Sequence, residues 1–127
     1  MTRTVLVVDD SKLARMVVKS ILVKTRADWR VVEAAGPGQA LDLLDGEGID
    51  IALIDFNMPE HDGLWLASEI RDRDPEMPIA ILSANAQDAI LARARELDAA
   101  FVEKPISEEA LAAFLSGAAL KLRRAGK

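Results

Sequence analysis

Four short apolar runs in this chain end on, or just before, residues that can handle a phosphoryl group. Val5 to Val8 stops at Asp9-Asp10, Ile51 to Ile54 at Asp55, Ile79 to Leu82 at Ser83, and Phe101-Val102 lies just before Lys104-Pro105. Carboxylates can ligate a divalent cation or act as nucleophiles, while a hydroxyl and an ammonium can hold the oxygens of a group in transfer. Each residue alone has a plainer reading: Asp9-Asp10 as an N-cap pair, Ser83 as a turn or cap serine, Lys104 as a solvated lysine before a turn proline. Chemistry requires that the fold bring them together.

The runs themselves predict that it does. Val/Ile/Leu stretches without alternation read as strands buried on both faces of a parallel sheet, where ligands bind outside the carboxyl ends of the strands. Strands are expected at Thr4 to Val8, Trp29 to Glu33, Ile49 to Ile54, Ile79 to Leu82 and Phe101-Val102. The helices between and after them are Lys12 to Lys24, Pro37 to Leu44, Leu64 to Arg73, Asp88 to Leu97 and Glu108 to about Leu122. Pro37 suits a first helical position, and Ser107 can cap a helix with Glu108 and Glu109 in its first turn. Gly46, Gly48, Pro59, Gly63, Pro75, Pro78 and Pro105 fall between the periodic segments, as turn residues do. Five strand and helix units with short connections predict an α/β fold, a parallel sheet with helices on both faces.

A chain of 127 residues, half of them hydrophobic, fits one domain, with a core from about 4 to 122 and a short basic tail over 123–127. A net charge of -5 argues against a nucleic-acid surface, because phosphate backbones are bound by Lys and Arg clusters. The absence of Cys excludes disulfides, thiolate metal sites and thiol redox chemistry, and suits the cytoplasm. The apolar runs are too short for a signal peptide or a membrane span.

Three carboxylates at one sheet edge repel one another by several kcal/mol per pair at about 4 Å if the effective dielectric is about 20. Cations are therefore needed there. Lys104 supplies one charge, and a Mg²⁺-type ion supplies two and prefers oxygen ligands. Asp10 and Asp55 suit direct coordination, completed by a backbone carbonyl and water, with Asp9 holding a metal-bound water. The first helix adds a separate signal: Leu13, Ala14, Met16, Val17, Val18, Ile21, Leu22 and Val23 occupy well over half its circumference. Either the helix is broadly buried, or it presents an apolar patch to a partner helix beside Asp10.

These residues together resemble a receiver domain of the two-component response-regulator family, of the CheY-like type. Leu6-Val7-Val8-Asp9-Asp10-Ser11 is similar to the family's acidic pair. Leu53 to Gly63 is similar to its phosphoacceptor strand and loop, and Ser83-Ala84 with Lys104-Pro105 completes the set. The resemblance implies the flavodoxin-like strand order 2-1-3-4-5, doubly wound. It implies Asp55 as phosphoacceptor, Asp10, Asp55 and the Asn57 backbone carbonyl as ligands of Mg²⁺ (or Mn²⁺), and Asp9 in support through water. Ser83 and Lys104 become phosphoryl contacts, with Ser83 and Phe101 as switch residues.

Two positions depart from the family's best-known versions. Ser83 stands in place of Thr and keeps the hydroxyl, while Phe101 stands in place of Tyr and keeps the ring without its polar tip; core and switch readings of Phe101 stay open. The family often has Gly near Asp98-Ala99-Ala100, where this chain has none. Asn57 and Asn85 lie two residues after Asp55 and Ser83, where family side chains can flank the path of hydrolytic water, although Asn also favours turns. His61, the sole histidine, reads as an exposed loop residue, Trp29 and Trp65 as packing residues, and the resemblance implies a cis Lys104-Pro105 bond.

The function implied is a phosphorelay switch, not an enzyme beyond its own phosphorylation and dephosphorylation. Its donor would be a histidine kinase or histidine phosphotransfer protein, and its target a protein engaged by the fourth helix, fifth strand and fifth helix. It would work as a monomer or a phosphorylation-dependent dimer, free-standing or as part of a longer regulator or hybrid kinase. An aspartyl-nucleophile phosphohydrolase of the haloacid-dehalogenase type also uses strand-end Asp, Ser/Thr and Lys. Its first motif spaces two acids as Asp-x-Asp, however, whereas Asp9 and Asp10 are adjacent. A flavin-binding module needs amide donors after the first strand, where acids would repel phosphate.

Overall fold

The computed structural model describes residues 2–127 and alternates strand and helix throughout. The elements are β1 (Thr4–Val8), α1 (Lys12–Thr25), β2 (Arg30–Ala34), α2 (Pro37–Gly46), β3 (Ile51–Asp55), α3 (Gly63–Arg73), β4 (Ile79–Ser83), α4 (Asp88–Glu96), β5 (Ala100–Glu103) and α5 (Glu108–Arg124). The strands form one parallel sheet in the order β2-β1-β3-β4-β5, as expected.

Residue alternation along the strands divides the core in two. Val5, Val7, Ile51, Leu53, Ala80, Leu82 and Val102 pack under α1 and α5, against Val18, Leu22, Leu111 and Leu115. Leu6, Val8, Ala52, Ile54, Ile79 and Ile81 face the other way, against Ala40 of α2, Leu66 and Ile70 of α3, and Ile90 and Ala94 of α4. Strands covered on both faces have no polar side to show, which is why their sequences do not alternate.

Several boundaries differ from the sequence expectation. β2 begins at Arg30, because the Trp29 amide donates to Arg26 O in a turn and its ring lies under the Arg26 guanidinium at 4.8 Å. β3 begins at Ile51, since the Ile49 amide bonds back to Glu47 O. α5 runs on through Arg123 and Arg124, so those two residues are helical instead of a tail.

The reading of α1 as broadly buried is overturned. Val18 and Leu22 are its buried residues, while Leu13 (71% exposed), Met16 (55%) and Val17 (47%) face outward. One face of α1 is enough to cover its side of the sheet, so the remaining apolar residues form the surface patch.

Where the family often has glycine, Asp98 adopts a positive φ of 53°. Asp tolerates the left-handed region better than most residues. Its carboxylate lies 3.3 Å from Lys121 of α5. Arg71 of α3 donates to the carbonyls of Leu97 and Asp98, and also to those of Asp74 and Met77. One guanidinium thus supplies the donors that end α4 and shape two turns, offsetting the backbone cost at Asp98.

Candidate functional site

The carboxyl edge of the sheet gathers the strand-end residues because the register does so. Asp55 pairs with Leu82 across β3 and β4, and Ser83 pairs with Glu103 across β4 and β5. The backbone continues the ladder past the strands: Phe56 N–H donates to Leu82 O, and Lys104 N–H to Ser83 O at 2.9 Å. These bonds bring Lys104, just past the end of β5, to the acids that follow β1 and end β3.

Carboxylate oxygens of Asp9, Asp10 and Asp55 all lie within 4.8 Å of one another. Lys104 Nζ sits 2.6 Å from Asp55 Oδ1 and 3.6 Å from Asp9 Oδ2. Asp55 is buried, at 5% exposure, as is Asp9, while Asp10 is exposed. The donor set of hard oxygens, with a cation already drawn into it, fits a divalent metal. Asp10, Phe56, Asn57, Met58, Pro59 and Asp62 line an adjoining depression of about 290 Å³.

Burial pushes the Asp55 carboxyl above the ordinary aspartate value; the hydrogen bond from Lys104 works against this, and the charges of Asp9 and Asp10 add to it. For Lys104, burial pulls the ammonium's pKa down, but the hydrogen bond and charge of Asp55, with Asp9 assisting, more than reverse it and hold it above the ordinary lysine value. Among the described residues, Lys104 is the cation that contacts this cluster of three carboxylates, through Asp55 and Asp9.

Ser83 is buried, and its Oγ accepts from the Asn85 amide at 3.0 Å. Among the described residues, that bond leaves the hydroxyl proton with only the Asn85 carbonyl at 3.5 Å, a weak contact. Phe101 is half-buried at the edge of the core on the α4 side and lines a 210 Å³ depression with Leu91, Ala94 and Arg95. Asn85 is exposed. His61 is also exposed, and its ring stacks on Trp65 with centroids 3.8 Å apart, so the two residues pack together outside the acid cluster. The Lys104-Pro105 bond is cis.

Three further residues, Gly63, Asp62 and Arg15, shape the site through contacts that no motif marks. Gly63 was read as a turn residue, yet a Cβ there would lie 2.6 Å from the Asp55 carbonyl oxygen and 3.0 Å from Phe56 Cα. Its amide also donates to Phe56 O at 2.8 Å, so the start of α3 is pressed onto the end of β3. Asp62 caps α3 by accepting from the Trp65 amide. Arg15 donates to the Asp9 backbone carbonyl at 2.6 Å. The sequence signal for Arg15 was a cation near the start of a helix with no acid in its first turn.

A depression of about 340 Å³ lies at the opposite edge of the sheet, lined by residues that include Pro78, Ala99, Phe114, Asp98 and Lys121. Its two charged residues are already paired with each other, so it has no free charge to offer a reacting ligand.

A doubly wound sheet of this order, with an acid cluster, a hydroxyl and a lysine at its carboxyl edge, defines an α/β domain of the CheY-like class. Sequence comparison is more specific: residues 5–116 match the profile of the response regulator receiver domain, and the chain belongs to that family. It is 34% identical over 114 residues to the chemotaxis protein CheY of Bacillus subtilis, covering 86% of this chain and 91% of that protein. It is 36% identical over 107 residues to the transcriptional regulatory protein PdtaR of Mycobacterium tuberculosis, covering 83% of this chain but spanning only 51% of that relative's length. Among solved structures, the chemotaxis protein CheY4 of Vibrio cholerae superposes with a TM-score of 0.84 at 26% identity, over 93% of this chain and 99% of that one.

Proposed function

We propose that the chain is a phosphorylation-operated switch whose acceptor is Asp55. A carboxylate oxygen of Asp55 attacks the phosphorus of a donor, a phosphohistidine of a histidine kinase or phosphotransfer protein or a small acyl phosphate. The bond from phosphorus to the donor's nitrogen or oxygen breaks as the new P–O bond forms. Lys104 draws the reacting oxygens together and offsets the added charge, and Ser83 donates its hydroxyl proton to a phosphoryl oxygen. Asp10, Asp55 and the Asn57 carbonyl hold Mg²⁺ (or Mn²⁺), with Asp9 acting through water; when bound, the ion screens both the acceptor and the incoming group. The observation that carries this reading is the Lys104 to Asp55 contact of 2.6 Å inside a cluster of three carboxylates.

Added charge of roughly 1.5 to 2 units at Asp55 gives the Ser83 hydroxyl and the Lys104 ammonium a new acceptor. Movement of Ser83 toward it frees the Asn85 amide, on the loop that leads into α4. That displacement biases the arrangement of α4, β5 and α5, with Phe101 turning between them, and changes the surface offered to a target protein.

The exposed Leu13, Met16 and Val17 of α1 form the docking patch for the donor protein. Val17 shares a 190 Å³ depression with Asp9, Lys104, Pro105 and Ile106, so an apolar helix seated there comes up beside the acid cluster. Labelling with a radioactive acyl phosphate tests the switch against a phosphohydrolase: one phosphoryl group per chain without sustained turnover supports the switch. Continuous release from phosphate monoesters contradicts it.

A further inference from the structure

Asp10 is the one member of the acid cluster whose carboxylate no hydrogen bond or ion pair engages among the described residues. Asp55 is gripped by Lys104, and Asp9 receives both Lys104 and the Ser11 amide, the latter at 2.9 Å. The backbone therefore sets the Cα–Cβ direction from which the Asp10 carboxylate reaches out, and no polar partner among the described residues adds to it.

That backbone is held from both sides. The Asp9 amide donates to Ala34 O at the end of β2, which fixes one peptide plane. The next plane, joining Asp9 to Asp10, is fixed by Arg15: Nη1 donates to Asp9 O at 2.6 Å, while Nε donates to Glu33 Oε1 of β2 at 3.1 Å. Lys19 lies 3.8 Å from the other Glu33 oxygen, and the Arg15 side chain is only 15% exposed. A guanidinium in a rigid fork, tied at one end to a strand, is a fixed donor. Helix stability does not account for it, because α1 has no acid in its first turn and a cation near the N-terminus opposes the macrodipole.

We propose that Arg15, oriented by Glu33, is the positioning residue that aims Asp10 as a metal ligand, acting through the Asp9 carbonyl. The inference rests on the metal-binding reading of the acid cluster given above. Residues that orient a ligand from behind are commonly worth about 10- to 100-fold in metal affinity. A purely electrostatic role has the opposite sign. Arg15 is a cation beside a cation site, so removing its charge would by itself strengthen Mg²⁺ binding.

Calorimetric titration of the full chain with MgCl₂, for wild type, Arg15→Gln and Arg15→Lys, separates the two. The expected result is binding weaker by about 10-fold in Arg15→Gln and a smaller loss in Arg15→Lys, which keeps the charge but not the fork. In the metal-free protein, the Asp10 amide nitrogen should shift in both variants while the β3 and β4 amides keep their wild-type positions. Arg15→Gln binding Mg²⁺ as tightly as wild type or more tightly overturns the proposal, as does an Arg15→Lys variant indistinguishable from wild type. Wild type that binds no Mg²⁺ overturns the metal reading of the cluster and this inference with it.

Discussion

Lys104 Nζ lies 2.6 Å from Asp55 Oδ1, an ion pair between the loop after β5 and the end of β3, across the intervening strand β4. The Lys104 backbone is held beside the site by its own amide, which donates to Ser83 O. A lysine held this way stabilises the metal-free site and is already in reach of any group that Asp55 acquires.

The two neighbouring acids should respond differently to replacement. Asp10 faces the depression that Asn57 lines, whereas Asp9 is buried and engaged by Lys104 and Ser11. Asp10→Ala should weaken Mg²⁺ binding far more than Asp9→Ala, by about 10-fold or more, measured by titration at fixed ionic strength. Equal losses would reject the division into direct and water-mediated roles.

Asp55→Asn should raise thermal stability in EDTA at neutral pH. Burial holds the Asp55 carboxyl above its unfolded value of about 3.9. A group whose folded pKa is raised gives its full stability below the unfolded value and loses it as pH climbs through the folded one. Wild type should therefore match Asp55→Asn near pH 3.5 and fall behind it by a few degrees in melting temperature by pH 7. Added Mg²⁺ should stabilise wild type more than the variant and narrow the gap. A gap that does not change with pH would show that charge at Asp55 is not its origin.

Gly63→Ala places a methyl against the Asp55 carbonyl, where no flexible side chain can yield. The expected cost is about 1–3 kcal/mol, the range for overpacking a tight contact. Because the added methyl presses on the Asp55 backbone, labelling at Asp55 should slow at temperatures where the variant remains folded by circular dichroism. Unchanged labelling in a folded variant would show that the α3 start does not set the acceptor's position.

The left-handed backbone at Asp98 gives a test of the turn that lacks glycine. Asp98→Gly removes the backbone strain but also the exposed contact with Lys121, and should change stability by less than about 1 kcal/mol. Asp98→Val should cost about 2 kcal/mol, since a β-branched residue resists positive φ. Denaturant unfolding of both variants reads the difference, and equal effects would place the demand elsewhere than in the backbone angle.

The strand ends were legible because a strand buried on both faces leaves an unbroken apolar run, and the first polar residue after it marks the edge. Strand order followed from the resemblance, while the doubly wound architecture followed from five short-linked units. Contacts made at a distance were not legible. Gly63 looks like any turn glycine until α3 is placed against β3, and Asp98 shows nothing of its φ in its type. The apolar residues of α1 exceeded what one face needs, but composition alone did not say which would be left outside. The structure decides it: Val18 and Leu22 point to the sheet, and Leu13, Met16 and Val17 do not.

The most direct measurement is intact mass after incubation with Mg²⁺ and acetyl phosphate, for wild type and Asp55→Asn. Wild type should gain the mass of one phosphoryl group, the gain should vanish in EDTA, and Asp55→Asn should gain none. No gain in wild type, or an equal gain in the variant, would contradict the assignment of Asp55 as the acceptor.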